Sequence, residues 1–366
     1  MGVDLRRNVV LLNGRFLTRR LTGVDRFATE VVRALDIAIS AAEPAVRGLS
    51  FELVAPKGRI TEQFENIAIR QEGRFDGQAW EQLELGRLAG VNLLVNLCNT
   101  APIFRRRQLS VIHDAATVRV PESYGRAFRL WYALLMPSIY RRSQSVCTVS
   151  EFSQGELLKL YGRREQIRVL PEGTDHMARV HSDASVLERN ALGQRPYVLA
   201  VSSLSPHKNF ATVIRAVESM GEIEFDVVIA GGQNPRIFSD ADSELTKSVR
   251  YVGYVSDGEL KALYENAACF IFPSIYEGYG LPPTEAMASG CPVLAARAAS
   301  IPEVCGDAAV YFDPREPASL VSALRSVMGD FQLREVLRKK GLERAGSMAW
   351  RSAALGVVDE IRRVLA

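Results

Sequence analysis

Short apolar runs rich in β-branched residues alternate along this chain with amphipathic stretches of helical length, and no other feature restricts the fold as much. Six runs lie in the first half, at 8–14, 51–56, 91–98, 108–114, 145–150 and 167–173. Six more follow, at 197–203, 225–232, 249–255, 269–274, 291–296 and 309–313. Each is nearly continuous in apolar residues, the pattern of strands buried on both faces of a parallel sheet with helices covering it. The fold class is therefore α/β, each half forming its own doubly wound, Rossmann-like parallel sheet. Residues 174–195 are polar and lack a strand period, so they read as a linker between an N-terminal domain, 1–173, and a second domain starting at 196. Two such domains facing each other bind ligands in a cleft beyond the carboxyl ends of their strands.

A length of 366 residues with 47% hydrophobic content suits two core-bearing domains and excludes a disordered chain. The sequence has no run of about 18 apolar residues, and its N-terminal apolar run is too short for a signal or an anchor, so a cytoplasmic location is expected. Cys98, Cys147, Cys269, Cys291 and Cys305 form no C-x-x-C pair. They read as small buried hydrophobes in a reducing compartment, with neither a disulfide framework nor a zinc site. The first 180 residues hold 26 Lys/Arg against 19 Asp/Glu, and the remainder 19 against 23. A first half facing an anionic partner is one reading of that asymmetry, and ordinary solvated surface is the other.

The chemistry concentrates in "FPSIYEGYGLPPTEAMASGCPVLAA", residues 272–296. Glu277 and Glu285 stand either side of Gly278, Gly280, Pro282 and Pro283. The strand is expected to end at Ser274 and the next helix to start at Pro283, because the glycines and Pro282 disfavour an earlier start. Gly290 is placed to terminate that helix. Glu277 then lies on the loop leaving a strand, and Glu285 in the first turn of the helix. Backbone from Gly278 to Leu281 can approach a ligand closely, and unpaired N–H groups at a helix start favour an anion. A phosphate held there, with a carboxylate on either side for sugar hydroxyls, accounts for the stretch. The plainer account is a turn followed by an acid that complements the helix dipole.

"EGYGLPPTE" resembles the E-x7-E signature of the retaining GT-B glycosyltransferases, the family 4 or "group 1" kind, which includes bacterial mannosyltransferases of cell-envelope glycans. The resemblance covers most of the chain. "YVLAVSSLSPHKNF", "VVIAGG", "YVGYVSDGEL" and "ASIPEVCGDAAVYFDP" fall in the family's order, as do "NGRFLTRRLTGVDRFATEVVRAL", "VIHDAA", "TVSEFSQGEL" and "IRVLPEGTD" in the first half.

The resemblance implies a nucleotide-sugar transferase in which Glu277 contacts the transferred sugar and Glu285 the ribose. Backbone at Gly278, Tyr279, Gly280 and Leu281, with the Lys208 ammonium, would hold the diphosphate, and backbone at Gly253, Tyr254 and Val255 would receive the base. Gly23 corresponds to a glycine that lets a first-domain loop approach the diphosphate. His113, at the end of "QLSVIHD", corresponds to a histidine contacting the transferred sugar, although a lone histidine also commonly satisfies a core hydrogen bond. Many members carry an arginine where this chain has Ser203 among the donor-binding positions; Arg26, His207 or the helix-start amides are left to meet that phosphate charge. Transfer would retain anomeric configuration, the departing diphosphate itself taking the acceptor proton. No cofactor and no metal are expected, since no His/Cys/Asp cluster with ligand spacing appears; Asp240 and Asp242 in "SDADSEL" read as acids favoured at a helix start. The last segment, 347–366, corresponds to a helix crossing back to the first domain, which leaves 196–346 as the nucleotide-sugar domain.

The acceptor is expected to be a glycan, free or linked to a polyprenyl diphosphate, and the donor GDP-mannose, with a UDP-hexose such as UDP-glucose as the alternative. Within 124–142, Phe128, Trp131, Tyr132, Leu135 and Met136 stand among Arg126, Arg129, Arg141 and Arg142. With "RRR" at 105–107, this segment reads as a peripheral dock on an anionic membrane, or as a core helix of the first domain. No nucleic-acid partner is expected. A nucleotide-dependent oxidoreductase is disfavoured because neither half shows G-x-G-x-x-G after a strand. A non-catalytic glycan-binding relative differs from the enzyme in releasing no nucleotide from a donor.

Overall fold

A computed structural model describes residues 9–201, 205–231 and 249–366. The chain divides into two compact units. The first comprises the chain to Val118, Tyr124–Gly173 and Ala349–Ala366; the second comprises Arg119–Ser123 and Thr174–Met348.

The first unit holds a seven-stranded sheet in the order β3-β2-β1-β4-β5-β6-β7. Its strands are β1 Val9–Asn13, β2 Ser50–Ala55, β3 Ala68–Gln71, β4 Leu93–Asn96, β5 Gln108–Val111, β6 Ser145–Thr148 and β7 Ile167–Val169. The second unit holds six strands in the order β10-β9-β8-β11-β12-β13. These are β8 Tyr197–Val201, β9 Asp226–Ala230, β10 Val249–Gly253, β11 Cys269–Phe272, β12 Val293–Ala296 and β13 Ala309–Phe312. Every pairing in both sheets is parallel. Each strand order reverses once, at β1/β4 in the first sheet and at β8/β11 in the second, and those reversals are where a doubly wound sheet opens a crevice for ligands.

One strand escapes the sequence pattern. β3, "AIRQ", is an edge strand with no buried residue, and so carries none of the apolar continuity that marks its neighbours. Residues 174–195, expected to be a linker, are folded onto the second unit. They form short helices at His176–Arg179 and Ser185–Arg189, and they bury Met177 and Val186 in its core.

Five helices carry the argument below: α1 Gly23–Ser40, α2 Arg126–Arg142, α3 Phe210–Met220, α4 Leu281–Ala288 and α5 Trp350–Leu365. α5 comes from the end of the chain and packs in the first unit, where the Trp350 ring meets Phe27 of α1 edge-on at 5.8 Å. Buried Glu360 accepts from Ser145 Oγ of β6 at 2.8 Å. The approach is close enough that a Cβ on Gly173 would lie 2.2 Å from the Trp350 nitrogen, so only glycine fits there.

α2 changes character along its length. Leu135, Met136, Ile139 and Tyr140 of its second half are buried. In its first half Leu130 is 74% exposed, with Leu134 at 55% and Phe128 at 42%. Among the described residues, no helix is long and apolar enough to cross a membrane.

Candidate active site

The second unit's strand reversal brings together residues far apart in sequence. β8 leads into the turn Pro206–Lys208, and β11 leads into the loop that carries Glu277. Lys208 Nζ donates to Glu277 Oε1 at 2.6 Å, and both side chains remain partly open to solvent. The two loops are stitched together by their backbones and by Asn209. Ile275 N donates to His207 O at 2.9 Å, and Asn209 Nδ2 donates to Pro273 O at 3.2 Å and to Pro314 O at 2.8 Å. Asn209 itself adopts a left-handed conformation, φ 58°, at the residue preceding α3. The lysine is thereby fixed at its base while its four-carbon stem stays adjustable.

The loop after β11 turns into α4 at Gly280, whose φ of 105° is a backbone state that glycine adopts without strain. α4 starts at Leu281, two residues earlier than expected. Pro282 and Pro283 do not delay it, because the N–H groups they lack belong to the first turn, where no intrahelical acceptor exists. The same prolines leave Leu281 as the donor among the first three helical residues, and no side chain caps the helix. An anion at this end would therefore meet the amides at Gly280 and Leu281. Ser300, fully buried, donates to Tyr279 O at 2.7 Å and to Glu277 O at 3.0 Å, so its one hydroxyl pins both carbonyls of the glycine-rich loop.

Glu285 lies on the fifth residue of α4, past the first turn, and is 7% exposed. His176 Nε2 donates to its Oε1 at 3.0 Å. Lys208 and Glu277 thus meet at the loop that leads into α4, and α4 carries Glu285, all within one unit. Gly253 ends the edge strand β10, where the register with β9 shifts between Tyr251 and Gly253; Tyr254, 63% exposed, and Val255 follow it. Ser203 lies outside the described residues, as do Asp240 and Asp242.

His207 does not offer the standing cation that the missing arginine would have supplied. It is buried, its Nδ1 lies 2.9 Å from Ser123 Oγ, and burial together with the adjacent Lys208 ammonium pushes it below the ordinary histidine range.

In the first unit, Gly23 is the exposed first residue of α1, with open space around the position of a Cβ. A capping box between Thr22 and Asp25 fixes that start, and Asp25 Oδ1 also accepts from Arg19 Nε at 2.6 Å. At the β1/β4 reversal, buried Glu81 Oε1 accepts from Asn13 Nδ2 at 2.7 Å and Thr100 Oγ1 at 3.0 Å, with Arg15 Nε 3.2 Å away. His113 follows β5 and is 3% exposed. Its Nε2 donates to Leu97 O at 2.8 Å, its ring stands edge-on to Phe27 at 4.7 Å, and Glu172 Oε1 lies 3.7 Å from Nδ1. These internal partners are those of a core histidine, and they fix the ring at the carboxyl end of its strand.

Sequence reasoning did not single out Asn209, Ser300, His176 or Glu81. Asn209 and Ser300 stand inside quoted motifs, but their use is revealed only by which carbonyls they reach. His176 sits in the polar segment read as a linker.

Residues 186–344 match the family model described as "Glycosyl transferases group 1". O-antigen chain mannosyltransferase B of Escherichia coli is 26% identical over 264 residues, 69% of this chain and 69% of that protein. O-antigen chain mannosyltransferase RfbU of Salmonella typhimurium is 28% identical over 234 residues, so the match spans 63% of its length. Among solved structures, sucrose-phosphate synthase from Thermosynechococcus elongatus superposes with a TM-score of 0.73 at 18% identity, covering 97% of this chain and 98% of that one. HepE of Anabaena, solved in complex with UDP and glucose, does so with a TM-score of 0.73 at 15% identity, covering 97% and 99%.

Proposed function

We propose that the chain is a glycosyltransferase of the group 1 family with the GT-B fold, and that it moves a hexose from a nucleotide sugar to a glycan or polyprenyl-diphosphate-linked acceptor in bacterial envelope polysaccharide synthesis. GDP-mannose is the first donor, in keeping with the mannosyltransferase names of the relatives. The observation that carries the reading is the Lys208–Glu277 pair beside the Gly280 and Leu281 amides at a strand reversal. A UDP-hexose is the second reading, since HepE was solved with UDP-glucose.

In this reading Glu277 and Lys208 hold each other until a donor arrives. The ammonium then follows the diphosphate while the carboxylate accepts from the sugar. Transfer retains configuration: the bond from the anomeric carbon to the diphosphate oxygen breaks, the acceptor oxygen bonds to the same face, and the leaving phosphate takes the acceptor's proton. No metal takes part; the charge gathering on the phosphate is met by Lys208 and the two amides, donors already in place before the step. Glu285 accepts from the ribose hydroxyls, and backbone at Gly253–Val255 faces the base. The protein works in the cytoplasm, peripheral on the inner face of the membrane, where α2 meets anionic lipid.

A thermal-shift titration with GDP, UDP and ADP tests the reading, because a ligand that binds only the native state raises its apparent stability. Selective stabilisation by GDP is expected. Selective stabilisation by UDP establishes the second reading, and no shift with any of the three overturns both.

A further inference from the structure

We infer that His176 is a positioning residue of the donor site, holding the Glu285 carboxylate in the orientation that meets the vicinal hydroxyls of a nucleotide's ribose. The inference rests on the reading of Glu285 as the ribose acid and adds the group that aims it.

Glu285 is 7% exposed and His176 2%. A carboxylate so far from water needs a donor, and a buried hydrogen bond to a charged group is strong and directional. The ring Nε2–H supplies that donor to Oε1 at 3.0 Å. Each carboxylate oxygen can accept two hydrogen bonds, so Oε1 keeps one acceptor position and Oε2 both, on a group whose rotation that bond restrains. The buried Tyr264 hydroxyl feels the same carboxylate: its pKa is raised first by burial and then by the Glu285 charge, and it finds no hydrogen-bond partner among the described residues.

What fixes His176 is its place in the chain. It stands three residues after Gly173, where the chain leaves the first unit. Thr174 N donates to Met348 O at 3.0 Å and Thr174 Oγ1 to Ala345 O at 2.9 Å. The outgoing chain is thereby tied to the returning one. Tyr279, within the glycine-rich loop, reaches Met348 Sδ with its hydroxyl at 3.8 Å. Glu285 is thus aimed from a segment braced at two points, and α4 alone does not set it.

The experiment is calorimetric titration of the full chain with GDP and with UDP, beside inorganic pyrophosphate as a probe that lacks ribose. In His176→Leu the Kd of the nucleoside diphosphate should rise on the order of tenfold, while that of pyrophosphate stays unchanged. His176→Gln, whose amide N–H reaches the same place, should restore binding, and His176→Asn, polar but shorter, should not. Melting curves of each variant establish that it is folded. The inference is overturned if folded His176→Leu binds nucleotide like the parent while Glu285→Ala does not, or if pyrophosphate weakens in step with nucleotide. Parent-like binding by Glu285→Ala removes the ribose reading, and this inference with it.

Discussion

Lys208 is the residue on which the proposed chemistry turns. It lies 2.6 Å from Glu277 and 20% of its side chain remains exposed, so it is anchored by a partner yet open to a ligand. Removing one preorganised donor from developing charge typically costs about 2.7–4 kcal/mol. Lys208→Ala should therefore slow transfer by that amount in single-turnover rates measured at saturating donor, with the melting point little changed, and an unaltered rate would remove the lysine from the mechanism. His207, one residue earlier, predicts a pH dependence of stability. Its folded pKa lies below the ordinary value of 6.5 because burial and Lys208 oppose the charged ring. The unfolded chain then binds more protons than the native one as pH falls below 6.5, and stability falls with it. The parent should lose melting temperature between pH 7.5 and 5.5 more steeply than His207→Gln, and parallel curves would count against the shift.

At the scale of elements, α2 is the part whose surface asks for a partner. Leu130 and Leu134 are exposed on a helix that carries Arg126, Arg129, Arg141 and Arg142 and no acidic residue. Beside its end lies Phe104, 79% exposed, with the Arg142 guanidinium 5.9 Å from its ring centroid. Apolar side chains to enter the interface and arginines to meet phosphate are the chemistry of an anionic lipid surface. The protein should co-sediment with vesicles containing phosphatidylglycerol and not with phosphatidylcholine alone, and Leu130→Ser with Leu134→Ser should release it. Equal binding to both vesicles would contradict the assignment. From the sequence this helix reads as either core or dock, because apolar content does not say which turns are covered; the structure buries its last turns and exposes its first. Other elements were legible for physical reasons. Buried parallel strands advertise themselves by continuous apolar runs, whereas polar β3 does not. The start of α4 lies two residues before the expected Pro283, because Pro282 is tolerated in a first turn where its missing N–H has no intrahelical acceptor. His176 and Ser300 were silent because a side chain's partner across the fold leaves no local pattern, while Lys208, Glu277 and Glu285 were legible through a motif.

At the scale of the whole molecule, the second unit's main segment is an interruption of the first. Gly173 meets Trp350, and Thr174 bonds to Met348, so the chain departs and returns at one place. Between them lies Thr174–Met348, and only then comes α5, whose Trp350 and Glu360 are buried against α1 and β6. On the ribosome this sets a schedule. Synthesis at about 5–20 residues per second places roughly 10–35 s between the last strand of the first sheet and the helix that covers it. The second unit has all of its strands well before the first can close. During that interval the α1 face around Phe27 is uncovered, and the half of the protein that is made first is the half that is finished last.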